Sequence, residues 1–402
     1  MDTQNTPVHL RLWHRGFWLL AFANMLLTMS VYMLIPLMGD WMKASLGLSP
    51  WLNGCLMGVY GVGLYLLGPL CSWWVQRYRR NHICQLSILG MLLVMAAFWL
   101  MRLQSPIRVE GWQSFLPWQF GLLRLLLGAA FGLAQMVLCS TLIIDVCESF
   151  QRTEANHSAA WFGRFAVALG PMTGLLLMRW SAFVPESIST WADPSLVAVA
   201  LALLAAVLIM LVPFPFRAPD DSFSRFSLDR FFLTDGWLLF ANLLPVTAVV
   251  GMVFATECTP MFYAMMMTGF FIALLAEKFV FADADLKSQT ISGLILLLAA
   301  ALLMRWPITP AAPYLAPVCL SIGVGIIGSR FLLFFIKLSH HCQRGTSQST
   351  FFLAWETGIS IGLLLGYALP AYVFQLSLVL IVAAFLLYHF ITHNWYLKHK
   401  NR

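Results

Sequence analysis

The chain has 402 residues, of which 60% are hydrophobic and only 10% charged, with a net charge of +7 and a mean hydropathy of +0.80. A soluble domain carries about 25% charged residues, so a water-soluble globular fold is excluded and most of the surface must face lipid or other helices. The basic residues cluster in short segments between apolar runs, which excludes a basic nucleic-acid-binding module, and no nucleic-acid partner is expected.

In chain order the apolar runs are 17–38, 51–75, 83–104, 117–140, 159–180, 195–215, 236–256, 259–281, 289–306, 314–338, 350–373 and 375–394. A run of about 20 apolar residues spans a hydrocarbon core about 30 Å thick. Lipid cannot satisfy free backbone groups, and barrel strands would alternate polar with apolar, so twelve transmembrane helices are predicted. The first run ends without a small-residue cleavage site and reads as a retained helix. With the N-terminus inside, sixteen Lys and Arg fall in inner segments and five in outer ones. Both termini are therefore expected in the cytoplasm.

The stretch 216–235, FRAPDDSFSRFSLDRFFLTD, is the longest polar break and reads as a cytoplasmic linker. Six runs precede it and six follow, so both halves keep one orientation. The predicted fold class is an all-α membrane protein, with a six-helix bundle over 1–215 and a second over 236–402, related by a pseudo-twofold axis.

A repeat supports that division. Residues 152–174 and 344–366 align without gaps at an offset of 192, with Arg152 on Arg344, Asn156 on Gln348, Gly170 on Gly362 and Gly174 on Gly366. At one position the charge reverses, Arg164 against Glu356. Gly170 and Gly174, and likewise Gly358, Gly362 and Gly366, recur once per helical turn, and such spacing lets backbones approach closely. They serve either packing or a rocking interface. Pro171 removes a backbone hydrogen bond and invites a bend.

Four ionisable residues are read as lying inside apolar runs: Arg124, Arg164, Arg330 and Glu356, the last as the only acid there. Each costs about 2.5–3.5 kcal/mol at a helix centre on insertion scales, so each must be paired, hydrated or near a membrane face. Intramembrane charges mark ion paths, and these four are the predicted substrate and proton pathway. Glu356 is either a proton carrier or one side of a fixed ion pair with Arg164. Arg124 is placed to bind an anionic group or hold a water chain. Asp145 sits at a span end, where solvation or capping suffices. Trp161 and Trp355, in mid-helix, are candidates for an aromatic wall, and Asn24, Tyr32 and Asn53 either line a cavity or hydrogen-bond between helices. The eight cysteines show neither metal-ligand spacing nor a disulfide framework, so no metal and no cofactor are expected. No Walker loop, H-E-x-x-H or G-x-S-x-G is found, and no enzyme is expected.

Several local motifs carry a resemblance. Residues 68–80 read Gly68-Pro69-Leu70-Cys71-Ser72-Trp73-Trp74-Val75-Gln76-Arg77-Tyr78-Arg79-Arg80. Arg124, Gly128 and Gly132 form an Arg followed by spaced glycines. Ala166, Gly170, Pro171 and Gly174 follow a Gly-Pro helix motif, and Arg344-Gly345-Thr346 precedes Ala354-Trp355-Glu356-Thr357-Gly358. Together these resemble the major facilitator superfamily, and within it the sugar- and drug-efflux branch. In that family the loop after the second helix reads G-P-L-x-x-x-x-x-D-R-x-G-R-R and latches the halves together. Gly68, Arg77 and Arg80 match it, whereas Gln76 replaces the acid and Arg79 the turn glycine, so the anionic part of the latch is missing. Arg77 is within reach of Asp145 or Glu148. The Gly-Pro motif is associated with export.

The resemblance implies a monomeric proton-coupled exporter of a small organic molecule, working by alternating access in a bacterial inner membrane. Its partners would be that substrate, protons and the lipid bilayer. An uptake symporter or facilitator for an anionic or sugar solute is the alternative on the same fold. A non-transporting sensor or scaffold is the third reading, and the lack of any soluble domain argues against it.

Overall fold

The computed structural model describes residues 11–45, 47–104, 115–181, 183, 193–214, 224–281, 283–340 and 343–400. The first part of the expected linker, with Arg108, Arg217 and Arg402 of the charge tally, lies outside them. Among the described residues the chain is helical, without strands.

The helices are α1 (Arg15–Ser45), α2 (Pro50–Arg77), α3 (Arg80–Leu103), α4 (Leu116–Asp145), α5 (Arg152–Ser181), α6 (Pro194–Met210), α7 (Thr234–Phe254), α8 (Pro260–Phe279), α9 (Leu286–Arg305), α10 (Ala312–Leu338), α11 (Arg344–Ala368) and α12 (Pro370–His399). All but α6 are long and apolar enough to cross a membrane, and α6, with 17 residues, sits at the short end of that range. Each expected run has its helix. Among the helix starts the largest differences are at α5 and α11, which begin seven and six residues before the apolar runs 159–180 and 350–373, and α1 runs seven residues past 38. In the second turns of α5 and α11 the polar Asn156 and Gln348 are buried against protein rather than set in water.

Local chemistry sets the helix ends. Ser49, Asp193 and Thr259 cap α2, α6 and α8 by accepting a backbone N–H in the first turn, and Pro50, Pro194 and Pro260 follow them. Proline there lacks only an N–H that would have no helical partner. Pro36 acts differently. It lacks the N–H that would reach the carbonyl of Tyr32, and α1 is interrupted at Met33, between Arg15–Tyr32 and Leu34–Ser45. Tyr32 is therefore placed at a break. By contrast α5 continues through Pro171.

The packing has an internal symmetry. In the first six helices α1 packs on α5 and α6, α2 on α4, and α3 on α4 and α6. In the last six α7 packs on α11 and α12, α8 on α10, and α9 on α10 and α12. Every pairing in one set has its counterpart in the other. The two sets meet mainly along α2–α11 and α5–α8, which are counterparts as well. The face carrying the linker, where α1 begins, is the linker face; the opposite end is the far face.

The glycine series belong to packing within each set. Gly170 and Gly174 press on Met29, Tyr32 and Met33 of α1. Gly358, Gly362 and Gly366 press on α7, where a side chain at Gly362 would collide with the carbonyl of Ala248. Neither series lies on the seam between the sets, so the rocking-interface alternative does not describe them. The seam uses glycines of α2: Gly54, Gly58 and Gly61 face Leu364, Ala368 and Ser360 of α11. Overpacking a tight contact costs typically 1–3 kcal/mol. Gly54→Val is expected to cost that much and to wedge the far-face seam apart, since its side chain meets the carbonyl of Leu364. Thermal melting, with thiol-reagent access to a cysteine introduced at Ala368, checks this. Unchanged melting and unchanged protection would show the seam to be loose.

Candidate functional site

A cavity lies between the two sets, in the half of the molecule toward the linker face. It has a volume of about 60 Å³, room for about four waters. Asn24 and Thr28 of α1 and Gln135 of α4 give it polar groups from the first set. From α11 come Gln348, the rings of Phe352 and Trp355, and the Glu356 carboxyl, while Arg164 of α5 supplies the charged wall opposite. The two residues that exchange charge in the repeat thus line one cavity. They do not form an ion pair: among the described residues no cation lies within ion-pair distance of Glu356. The fixed Arg164–Glu356 pair expected as one alternative is absent, because each group is held by other neighbours.

Glu356 is 4% exposed. The hydroxyl of Tyr32 donates to its Oε1 at 2.8 Å and that of Tyr60 to its Oε2 at 3.1 Å. Both tyrosines come from the first set and Glu356 from the second, so the carboxyl is bound across the seam by neutral donors. The break at Met33 ends the first segment of α1 at Tyr32, and Gly61 lets α2 close on Ser360 one turn beyond Glu356.

Arg124 stands behind Tyr60, outside the cavity wall. Its guanidinium lies 4.9 Å from the Tyr60 ring centroid, and Nη2 donates to the carbonyl of Met57 at 2.8 Å. It holds Tyr60 in place by a cation–π contact and is not among the residues lining the cavity.

Arg164, 3% exposed, lies between two indoles, 4.6 Å from the ring of Trp161 and 5.9 Å from that of Trp355. Its Nη1 donates to Ser329 of α10 at 2.6 Å, and Gly328 leaves room for the guanidinium. Nε and Nη2 are buried without a hydrogen-bond partner.

Arg330 does not line the cavity. It pairs with Glu277 near the linker end of α8. Glu277 also accepts from Trp161 Nε1 at 3.2 Å and lies 3.2 Å from His157 Nε2, both on α5. Its side chain is 13% exposed. Glu356 is therefore not the only acid inside an apolar helix, and Glu277 ties α5 to α8 and α10 on the linker side of the cavity.

At the α2–α3 turn, Arg80 pairs with Asp145 at the end of α4, both side chains largely buried, so Asp145 is more than a solvated cap. Arg77 lies 5.7 Å from the ring of Trp73. The acid that Gln76 does not supply comes from the linker. Asp229 accepts from Ser72 of α2 at 3.2 Å and from Thr346 of α11 at 3.0 Å. Gln76 in turn donates to Ser72. The next residue, Arg230, has φ of 57°, a left-handed conformation uncommon outside glycine, and its N–H donates to Thr346 at 2.9 Å. Phe231 then sits against Gly68, where any side chain would strike its ring. The described end of the linker is thus a strap over the linker-face end of α2–α11.

On the far side of the cavity, Gly54 to Gly61 hold α2 against α11, and Lys43 meets Glu257 at 3.3 Å. Cross-set contacts thus lie on both sides of the cavity.

A profile of the Major Facilitator Superfamily matches residues 20–363. A search of curated protein sequences finds no significant match. Among solved structures, a bacterial homologue of the iron transporter ferroportin in the outward-facing state is 12% identical with a TM-score of 0.67, covering 95% of this chain and 99% of that one. The human organic anion transporter MFSD10 is 15% identical with a TM-score of 0.63, covering 93% and 98%. The E. coli fucose:proton symporter FucP is 14% identical with a TM-score of 0.58, covering 93% and 99%. At these identities the likeness is one of fold. With the family profile spanning most of its length, the chain belongs to the Major Facilitator Superfamily and is an integral membrane transporter, not an enzyme.

Proposed function

We propose that this chain is a proton-coupled exporter of a small organic molecule, with bundles 1–215 and 236–402 rocking about the 216–235 linker. Its termini lie in the cytoplasm of a bacterial cell, and it works as a monomer in the inner membrane. The observation that carries the proton coupling is Glu356, a buried carboxyl on the cavity wall whose two hydrogen bonds both cross the seam. When the bundles part, Tyr32 and Tyr60 leave with the first set and the carboxyl must find water or a proton. An intramembrane acid whose surroundings change in this way can load on one face and unload on the other. The small cavity fits the same cycle, since drug-sized ligands need several hundred cubic ångströms and space must open before a substrate enters.

Support for export comes from the Gly170-Pro171 motif and its resemblance to the efflux branch. Arg164 favours a second reading. An anion drawn to its unpaired edge would bind better when Glu356, lining the same cavity, carries a proton, because protonation removes a like charge. Binding both together is the requirement of cotransport, the coupling named for the fucose symporter that shares this fold.

The direction of coupling separates the two readings. A thermal-shift screen of metabolites and antibiotics identifies a ligand, which is then followed in proteoliposomes under an imposed pH gradient. Exchange carries it into the acidic compartment and cotransport into the alkaline one. Equal distribution on both sides would sink proton coupling altogether.

A further inference from the structure

We infer that Arg164 and the two indoles around it form a binding site for the headgroup of a small organic monocarboxylate with a flat, apolar body. This rests on the transporter reading above and names the substrate class for its cavity.

Arg330 is matched by Glu277, and Arg124 is turned toward Met57 and the face of Tyr60, outside the cavity. Among the described residues Arg164 alone lines the cavity as a buried cation, and only its Nη1 makes a hydrogen bond, to Ser329. Its Nε and Nη2 are buried and unpartnered. These two atoms form the side-on edge of a guanidinium, two parallel N–H groups spaced to meet both oxygens of a carboxylate. A buried donor left without an acceptor is costly, and two on one edge of a permanent cation describe a fork awaiting an anion.

The surroundings fix that fork. Trp161 and Trp355 flank the guanidinium, Ser329 anchors its other end, and Gly328 has no side chain to displace it. The plane is therefore set before a ligand arrives. Arginine suits this arrangement and lysine does not, since an ammonium offers a point charge without a planar edge.

Charge and shape narrow the class. One cation without an ion-pair partner among the described residues suits one negative charge, and a dianion would face Glu356 with its second charge unanswered. Beyond the fork the wall is Phe351, Phe352, Trp355 and Val167, which favours an apolar, flat body over a polyhydroxylated one. The amides of Asn24, Gln135 and Gln348 add neutral contacts at the rim, and Gln348 Oε1 has no hydrogen-bond partner.

Equilibrium binding of radiolabelled benzoate to the purified full-length protein tests this. Saturable binding is expected, displaced by unlabelled benzoate but at least about tenfold more weakly by benzamide, which has the same shape and no charge. Inorganic phosphate is expected to compete at least about tenfold more weakly than benzoate. Arg164→Gln is expected to weaken binding by at least about tenfold. Arg164→Lys, which keeps the charge and removes the fork, is expected to weaken it by about fivefold or more. The competition series needs no variant, so it stands even if a substitution impairs folding. Absence of saturable benzoate binding, equal competition by benzamide, stronger competition by phosphate, or undiminished binding to a folded Arg164→Gln protein would each overturn the assignment. Failure of proton coupling is read separately, in gradient-driven flux, and leaves these binding results untouched.

Discussion

Glu356→Gln protein is expected to lose gradient-driven accumulation of its substrate while keeping substrate-for-substrate exchange. Glutamine has nearly the same volume and can still accept a hydrogen bond from one tyrosine and donate to the other, so the seam between Tyr32, Tyr60 and α11 should close as before. What disappears is the ability to take and release a proton. Each proton moving down a membrane potential supplies about 2.3 kcal/mol per 100 mV. At 1.4 kcal/mol per factor of ten, the accumulation ratio should fall about fiftyfold at 100 mV for one proton per cycle. The measurement is the steady-state ratio in proteoliposomes, set beside counterflow exchange in the same preparation. Full accumulation by the variant would remove Glu356 from the proton path. Loss of exchange as well would mean that the substitution had broken the cycle rather than its coupling.

Much of this architecture was legible in the sequence, for a physical reason. Lipid demands long apolar helices, and a run such as 314–338 leaves almost no choice of secondary structure. The repeat is legible for a related reason: duplicated helices keep their first arginine, their polar second turn and their close-packing glycines. Both copies begin their helices at that arginine, Arg152 and Arg344. Facing is harder to read. Spacing shows that Gly358, Gly362 and Gly366 share one side of a helix, but only the three-dimensional fold shows that side turned to α7 and the seam lined by Gly54, Gly58 and Gly61. Tyr32 was read as a cavity residue without its bond to Glu356, and Tyr60 was hidden because tyrosine reads as an apolar residue in a hydropathy pattern. Asp229 was hidden because a carboxylate in a polar linker looks solvated. Glu277 was overlooked because it lies two residues from the end of α8 beside Lys278, where a charge looks interfacial. Its partners, on α5 and α10, are what bury it.

Glu277 carries the other large expected effect. It faces Arg330 from its own set and His157 and Trp161 from the other, with Arg164 one step beyond Trp161. Removing one partner of a buried ion pair costs about 3–5 kcal/mol, chiefly through the charge left unpaired. Glu277→Ala should therefore destabilise the protein by an amount in that range, more than the loss of contacts alone would give. The double variant Glu277→Ala/Arg330→Ala should recover a large part of it, because the stranded guanidinium is gone. Recovery has a limit set by Trp161, whose N–H keeps no acceptor in either variant, and by Arg164, which loses a nearby negative charge in both. The pattern of a severe single and a milder double is the signature of a charge pair, and thermal denaturation in detergent reads it directly. If the double variant melts no higher than the single, Glu277 acts on α5 rather than on Arg330. In that case its bonds to His157 and Trp161 hold the linker face shut, and the stability of the closed state resides in the α5–α8 contact.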